Sequence, residues 1–249
     1  MYISEVSGHR NAALAVEKAL HSINPETNIL NINAFRYTNP ISERVVNHIY
    51  TEIIKRTPKI WDLIYDNPKV KKRLDMIKDV IHKLNSPKLQ RLFAKFHPDI
   101  VVCAQAFPCG MVADYKRMYD HMDLPLIAVL TDYVPHGYWI YDEIDYYVVP
   151  SEEVAQRLHK KGVPLSKIKP LGIPFEHKFN APVDNAKVYA QLGFDPAVPT
   201  VLIMGGGQGL GPIKTIFSSL EKVMQPFQLI VACGTNKKLY RSLKKKAVK

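Results

Sequence analysis

Thr200-Val201-Leu202-Ile203-Met204-Gly205-Gly206-Gly207-Gln208-Gly209-Leu210-Gly211-Pro212-Ile213-Lys214-Thr215 is the stretch on which the fold turns. A short apolar run empties into a glycine-rich segment, and Pro212 then opens an apolar pattern at helical spacing. Buried strand, glycine turn and helix start, in that order, aim main-chain N–H groups at one point, as phosphate sites do. Glycine lets the chain turn tightly and approach a ligand closely. Proline suits the first helical position, where its missing donor is not needed. The loop is therefore expected to hold a phosphate, the simpler alternative being a glycine turn with no ligand. Two familiar phosphate loops do not fit. A P-loop ends in Gly-Lys-Ser/Thr, but Lys214-Thr215 follows Ile213. A dinucleotide fingerprint needs G-x-G-x-x-G and an acid at the end of the next strand. Here Gly207, Gly209 and Gly211 read G-x-G-x-G, and the next predicted strand, residues 227–232, ends in Cys233-Gly234.

Upstream, apolar strands alternate with helices. Strands are predicted at 99–104, 126–130, 146–149 and 168–171, with helices at 110–119 and from Ser151, as N-cap, to 161. Met1-Tyr2-Ile3 reads as the tail of a strand, and the Ala- and Leu-rich segment from Ala12 to Leu20 as a helix. The alternating residues 28–33 read as a second strand. Near-continuous apolar strands separated by helices predict an α/β fold with a parallel sheet buried on both faces. Residues 39–92 show helical periodicity, then a basic helix over 70–84. This suits either an amphipathic pair covering a sheet or a surface-lying membrane segment. The pattern divides into a Rossmann-like domain, 1–174, a linker with a short helix near 188–192, 175–199, and a second α/β domain, 200–249. A three-residue first strand and a two-strand second sheet are short for such domains. The expectation is a clipped first strand and an incomplete second domain.

The chain has 249 residues, 47% of them hydrophobic, enough for a sizeable core. It has no run of 18 apolar residues that would span a bilayer and no signal-peptide pattern at residues 1–10. Cys103, Cys109 and Cys233 have no C-x-x-C spacing and read as buried thiols of a reducing compartment, with no metal site implied. A net charge of +11 points to an anionic partner: nucleic acid, anionic lipid or a phosphorylated substrate. Neither a recognition-helix motif nor basic residues interleaved with aromatics on a sheet is found, so nucleic acid is not expected.

Ligands of open parallel sheets bind beyond the carboxyl ends of the strands. Four loops reach that rim: 7–9, 104–108, 131–136 and 150–152. His9, after Gly8 in a strand-to-helix turn, could take a proton from a hydroxyl near neutral pH; otherwise it is a helix-start histidine with local hydrogen bonds. Asp132 could orient that base or bind a substrate hydroxyl, or it could be an Asx-turn carboxylate. His136 and Trp139, with Tyr133, Tyr138 and Tyr141, could contact an acyl chain or interface, or simply pack.

Ser7-Gly8-His9-Arg10-Asn11-Ala12-Ala13 resembles the N-terminal glycine–histidine motif of the monogalactosyldiacylglycerol synthase and processive diacylglycerol glucosyltransferase family, which is like glycosyltransferase family 28. Asp99-Ile100-Val101-Val102 with Phe107-Pro108, Thr131-Asp132 with His136 and Trp139, Leu171-Gly172-Ile173-Pro174, Gly205 to Pro212, and Cys233-Gly234-Thr235-Asn236-Lys237-Lys238-Leu239 follow in the family's order. The resemblance implies a GT-B glycosyltransferase that moves a hexose from UDP-glucose or UDP-galactose to diacylglycerol. It implies inversion, no metal and no cofactor, at the inner face of the cell membrane beside anionic lipids. His9 and Asp132 would be catalytic. Gly205, Gly206, Gly207, Gln208 and Gly209 would face the diphosphate, while Gly8, Gln105, Phe107, His136 and Trp139 would lie on the acceptor side. A sugar-nucleotide enzyme such as an epimerase, and a non-catalytic membrane-associated binding protein, are the alternatives. The sugar, the number of sugars added and the oligomeric state are left open.

Overall fold

Four apolar runs form a four-stranded parallel sheet: β1 (Val101–Cys103), β2 (Leu126–Val129), β3 (Tyr146–Val148) and β4 (Ile168–Lys169), in that spatial order. The computed structural model describes residues 1–3, 7–38 and 87–247, so the helices read over 39–84 lie outside the described residues. The register aligns Val101 with Leu126, Ile127 with Tyr146 and Tyr147 with Ile168. The carboxyl ends of β1 and β2 therefore share one rim. The chain divides into two compact units, Met1–His177 and Lys178–Lys249.

In the first unit, α1 (Gly8–Ile23) starts at Ser7, whose hydroxyl accepts from the Arg10 N–H at 3.2 Å. It presents Ala12, Ala13 and Ala15 inward, small residues that let the helix lie close to the sheet. A short α2 (Ala34–Thr38) and a helical stretch α3 (residues 87–96) precede β1. Then come α4 (Ala106–Met118), between β1 and β2, and α5 (Glu152–Lys160), between β3 and β4. The Ser151 N-cap is as predicted, its hydroxyl accepting from Val154 N–H at 3.4 Å. The core includes Phe35, Leu89, Cys103, Cys109, Met111, Leu126, Trp139, Tyr147 and Leu158. The three cysteines are free and buried. Inside this core Lys116 is sealed, its side chain 1% exposed. Its ammonium donates to the Glu143 carbonyl at 2.9 Å and to Asp145 Oδ2 at 3.0 Å. Asp145 also accepts from the Leu126 N–H at 2.8 Å, tying α4 to the start of β2.

Three expectations are corrected. Residues 28–33 form no regular strand: among the described residues they make one parallel bridge, Tyr2 with Asn33. The bond from Tyr2 N–H to Ile32 O, 3.1 Å, and that from Ala34 N–H to Tyr2 O, 2.7 Å, are too few for a ladder. The helix expected over 110–119 starts at Ala106, so Phe107 and Pro108 are not loop residues but its first turn, where a proline loses no hydrogen bond. Pro212 is the N-cap of its helix rather than the first helical residue.

The second unit has α6 (Asn185–Leu192), capped by Asp184 and closed by Gly193 at φ 66°, then β5 (Thr200–Met204), α7 (Ile213–Leu220), β6 (Gln228–Ala232) and α8 (Lys237–Ala247). β5 and β6 pair in parallel, Thr200 with Gln228 through Met204 with Ala232. Ile203, Ile213, Cys233, Leu239 and Leu243 make its core. Leu202 and Met204, on the opposite face of β5, are 53% and 68% exposed. The mixed α/β class with parallel sheets is the one the sequence predicts.

Candidate active site

β2 ends at Val129, and Thr131 and Asp132 follow at the rim. His9 occupies the first turn of α1, not the preceding turn. Its Nδ1 lies 2.7 Å from Thr131 Oγ1, a contact between residues 122 apart in sequence. Three further groups bear on this imidazole. Burial lowers its pKa from the ordinary 6.5, while the Asp132 carboxylate and a hydrogen bond to the Ala104 carbonyl pull back toward the protonated form. His136, on the same loop as Asp132, is held lower still, at about 4. Burial is the main cause, opposed by Asp132 and assisted by His9 and Lys161. The cluster thus carries two neutral imidazoles and one carboxylate at neutral pH, and a neutral imidazole is the form that accepts a proton.

The other predicted residues fall as follows. Gln105 is the N-cap of α4, and its Oε1 accepts from the Ile3 N–H at 3.0 Å, tying the 104–105 segment to residues 1–3. Phe107 is half-buried with its ring 4.4 Å from that of Phe35. Gly8 is exposed, and a Cβ there would meet nothing within 4 Å, so the space beside His9 is open. Trp139 corrects the reading of an aromatic acceptor surface: it is 0% exposed, in the core. Its ring serves instead as a floor for His136, with centroids 6.2 Å apart and planes 32° apart. Tyr133 and Val134, both 63% exposed, are the apolar residues that this loop does offer to solvent. Thr131, quoted in the sequence only as the neighbour of Asp132, is the site residue to which sequence reasoning gave no role. A cavity of about 230 Å³ opens between α1, residues 27–32 and residues 96–102. Its lining reaches Ala13 and Ala104 but none of His9, Gln105, Thr131, Asp132 or His136, so the polar cluster is separate from it.

The glycine loop forms its own structure. Gly209 N–H donates to Gly206 O at 3.0 Å, and Leu210 N–H to Gly205 O at 2.7 Å. Thr235 N–H donates to Gly207 O at 2.9 Å, and Asn236 Nδ2 to Gly209 O at 3.1 Å, binding the loop to residues 233–236. The amides of Gly206, Gly207 and Gln208 donate to no acceptor among the described residues. Among the described residues, no three His, Cys, Asp or Glu side chains gather as metal ligands would, and no helix is long and apolar enough to cross a membrane.

A pH dependence follows from His136. Its folded-state pKa, about 4, lies below the unfolded value of 6.5, so protons favour the unfolded chain between those pH values. Stability is full above about 6.5 and is expected to fall as pH drops toward 4. The loss is on the order of 3 kcal/mol at about 1.4 kcal/mol per pH unit. His9 acts in the same direction. Urea midpoints at pH 7.5, 5.5 and 4.5 measure this, and His136→Gln should flatten the curve. An unchanged slope in that variant would place the pH sensitivity elsewhere.

A parallel sheet with an imidazole–hydroxyl–carboxylate cluster on its carboxyl rim defines a Rossmann-like α/β unit whose polar groups sit where such folds bind ligands. The family model for monogalactosyldiacylglycerol (MGDG) synthase matches residues 9–175, and the chain belongs to that family. Among curated relatives, the processive diacylglycerol beta-glucosyltransferase of Bacillus licheniformis is 27% identical over 244 residues, covering 95% of this chain and 62% of that protein. The protein of the same name from Bacillus pumilus is 29% identical over 214 residues, covering 85% and 54%. The chain thus spans between 54% and 62% of the length of these relatives. Among solved structures, an apo lipopolysaccharide outer core galactosyltransferase is 14% identical with a TM-score of 0.41, covering 69% of this chain and 47% of that one. A UDP-GlcNAc 2-epimerase from Neisseria meningitidis bound to UDP-GlcNAc is 11% identical with a TM-score of 0.43, covering 68% and 51%.

Proposed function

We propose that this chain serves an inverting, metal-independent transfer of a hexose from a UDP-sugar to diacylglycerol. In this reading residues 1–174 take the lipid acceptor and residues from 200 onward begin the donor side. The observation that carries it is the His9 imidazole, set by the 2.7 Å contact of its Nδ1 with Thr131 Oγ1 next to Asp132 at the sheet's carboxyl rim, with open space at Gly8. Family membership and the printed names of the relatives support the acceptor and the reaction class.

His9 takes the proton of the free lipid hydroxyl. The oxygen attacks the anomeric carbon from the face opposite the donor phosphate. The bond from that carbon to the phosphate oxygen breaks, and UDP leaves with the electron pair. Asp132 favours the imidazolium that forms. The amides of Gly206, Gly207 and Gln208, with the first turn of α7 after them, receive the charge that develops on the diphosphate. Gly205 and Gly209 shape that loop. Gly8, Gln105, Phe107 and His136 border the acceptor side, with Trp139 beneath His136. Association with the inner face of the membrane through anionic lipids belongs to the same proposal, on the net charge of +11.

The test supplies the protein with diacylglycerol vesicles and labelled UDP-glucose or UDP-galactose. Label is expected in the lipid extract. Interconversion of the UDP-sugars without lipid labelling would favour an epimerase, and vesicle binding with no sugar chemistry a binding protein. Binding to anionic vesicles should weaken as salt rises, since exposed charges are screened beyond about 10 Å at 0.1 M. Equal binding to neutral vesicles at every salt concentration would remove the electrostatic part.

A further inference from the structure

We propose that Thr131 is a positioning residue: its Oγ1 accepts from His9 Nδ1–H, fixing the ring so that Nε2 keeps its lone pair for the acceptor. The inference rests on the reading of His9 as the base, and the contact itself is the 2.7 Å approach of Oγ1 to Nδ1. Two elements build it. The Ser7 cap sets the start of α1 and hence the origin of the His9 side chain. Thr131 lies two residues beyond β2, in a strand-end segment held by the bond from Leu130 N–H to Val148 O at 2.9 Å. A β-branched side chain is stiff about χ1, so a threonine presents its hydroxyl from a fixed direction where a serine would swivel.

The consequence for the ring is a choice of tautomer. In the proposed arrangement Nδ1–H donates to Thr131 Oγ1. Nε2 is then the basic nitrogen. In the opposite arrangement the Thr131 O–H donates to Nδ1, and Nε2 carries the proton and cannot act as base. The titratable groups that bear on His9 among the described residues are Asp132 and His136, both on the 131–136 loop. Neither is altered by a change at Thr131.

The two arrangements predict opposite signs. An N–H donor bond to Thr131 is stronger from the imidazolium than from the neutral ring, so losing it should lower the His9 titration point by about half to one pH unit. Losing a bond donated by Thr131 O–H would raise it. The experiment is nitrogen NMR of the chain carrying labelled histidine, with His9 assigned by a His9→Gln variant. The proposal expects a neutral His9 ring protonated at Nδ1, a downward shift in Thr131→Val and a near-parental value in Thr131→Ser. A neutral ring protonated at Nε2, or an upward shift in Thr131→Val, overturns it. The tautomer is read on the parent chain, so poor folding of Thr131→Val does not spare the proposal. In the transfer assay Thr131→Val should lower kcat about 10–100-fold with KM within about threefold, and Thr131→Ser should recover most of the rate. These readouts are separate from those that test His9. If His9→Ala transfers sugar normally, the base role fails whatever the tautomer. If the tautomer is wrong while His9→Ala is inactive, Thr131 alone loses its role.

Discussion

His9→Ala should slow sugar transfer to diacylglycerol by about 10²–10⁴-fold, the usual contribution of a positioned general base. That corresponds to roughly 3–5 kcal/mol of activation free energy. The acceptor is an alcohol, a poor nucleophile until its proton is removed. The ring that would remove it is half-buried, lies 2.7 Å from Thr131 Oγ1 and has its pKa lowered by burial. At neutral pH it is therefore already unprotonated, and because burial holds its pKa below the ordinary histidine value, activity should persist as pH falls through that value and decline only below it. The KM for the UDP-sugar should stay within about threefold, because the lost group acts on the acceptor's proton. Steady-state rates of the variant against the parent give the answer. Turnover within threefold of the parent would remove His9 from the base role and leave Asp132 or His136 to be tested in its place.

The second large effect concerns the glycine loop, where two neighbouring substitutions should behave differently. A Cβ at Gly209 would stand 2.1 Å from the Cys233 carbonyl oxygen, at a backbone φ of +58°. Gly234 reciprocates: a Cβ there would be 2.3 Å from the Gly207 oxygen. Each loop leaves room for the other's backbone, and neither can give way without breaking the bonds from Thr235 N–H to Gly207 O and from Asn236 to Gly209 O. Overpacking against backbone costs about 1–3 kcal/mol and a left-handed non-glycine residue about 1–2 more. Gly209→Ala should therefore destabilise the second unit by about 2–5 kcal/mol. Gly206, at φ +65°, has nothing within 4 Å of its Cβ position. Gly206→Ala should cost only the conformational term, about 1–2 kcal/mol. Its methyl group would instead enter the open side where the diphosphate is proposed to lie, and UDP affinity should drop at least tenfold. Urea denaturation and calorimetric titration with UDP separate the two. Parental stability in Gly209→Ala would mean that the loops are not interlocked. Parental UDP binding in a folded Gly206→Ala would place the diphosphate elsewhere.

The strand–helix rhythm was legible because runs such as residues 126–129 and 201–204 are apolar at every position and end in residues that stop them. Ser151 is a strong cap in any context, so that helix starts where capping chemistry puts a boundary; the short helix expected near 188–192 starts earlier, at Asn185, because Asp184 caps it. The misses share a cause, dependence on groups far away in sequence. Residues 28–33 alternate convincingly, but a strand also needs a partner ladder, and they have one bridge. Pro108 suggests a break, yet in a first turn it interrupts nothing. Phe107 and Gln105 accordingly moved from a loop to a helix start. An aromatic cluster around Trp139 looks alike in sequence whether it faces solvent or the core, and tertiary packing put Trp139 inside. Individual site residues could be picked out because rim loops follow from the strand ends. Their pairing could not: the parallel register sets the end of β2 beside that of β1, Met1 bonds to Val102 and Ala104 at the edge of β1, and only then does Thr131 meet His9.

The sequestered amine of Lys116 gives unit 1 a chemical clock. Only its side-chain tip is nucleophilic, and that tip is closed off beneath Glu143 and Asp145 in the native core. An acylating reagent can thus mark it only in molecules that have come apart, while lysines on the surface react continuously. The ratio of the two labelling rates, followed by mass spectrometry over hours, counts how often this unit opens without any denaturant.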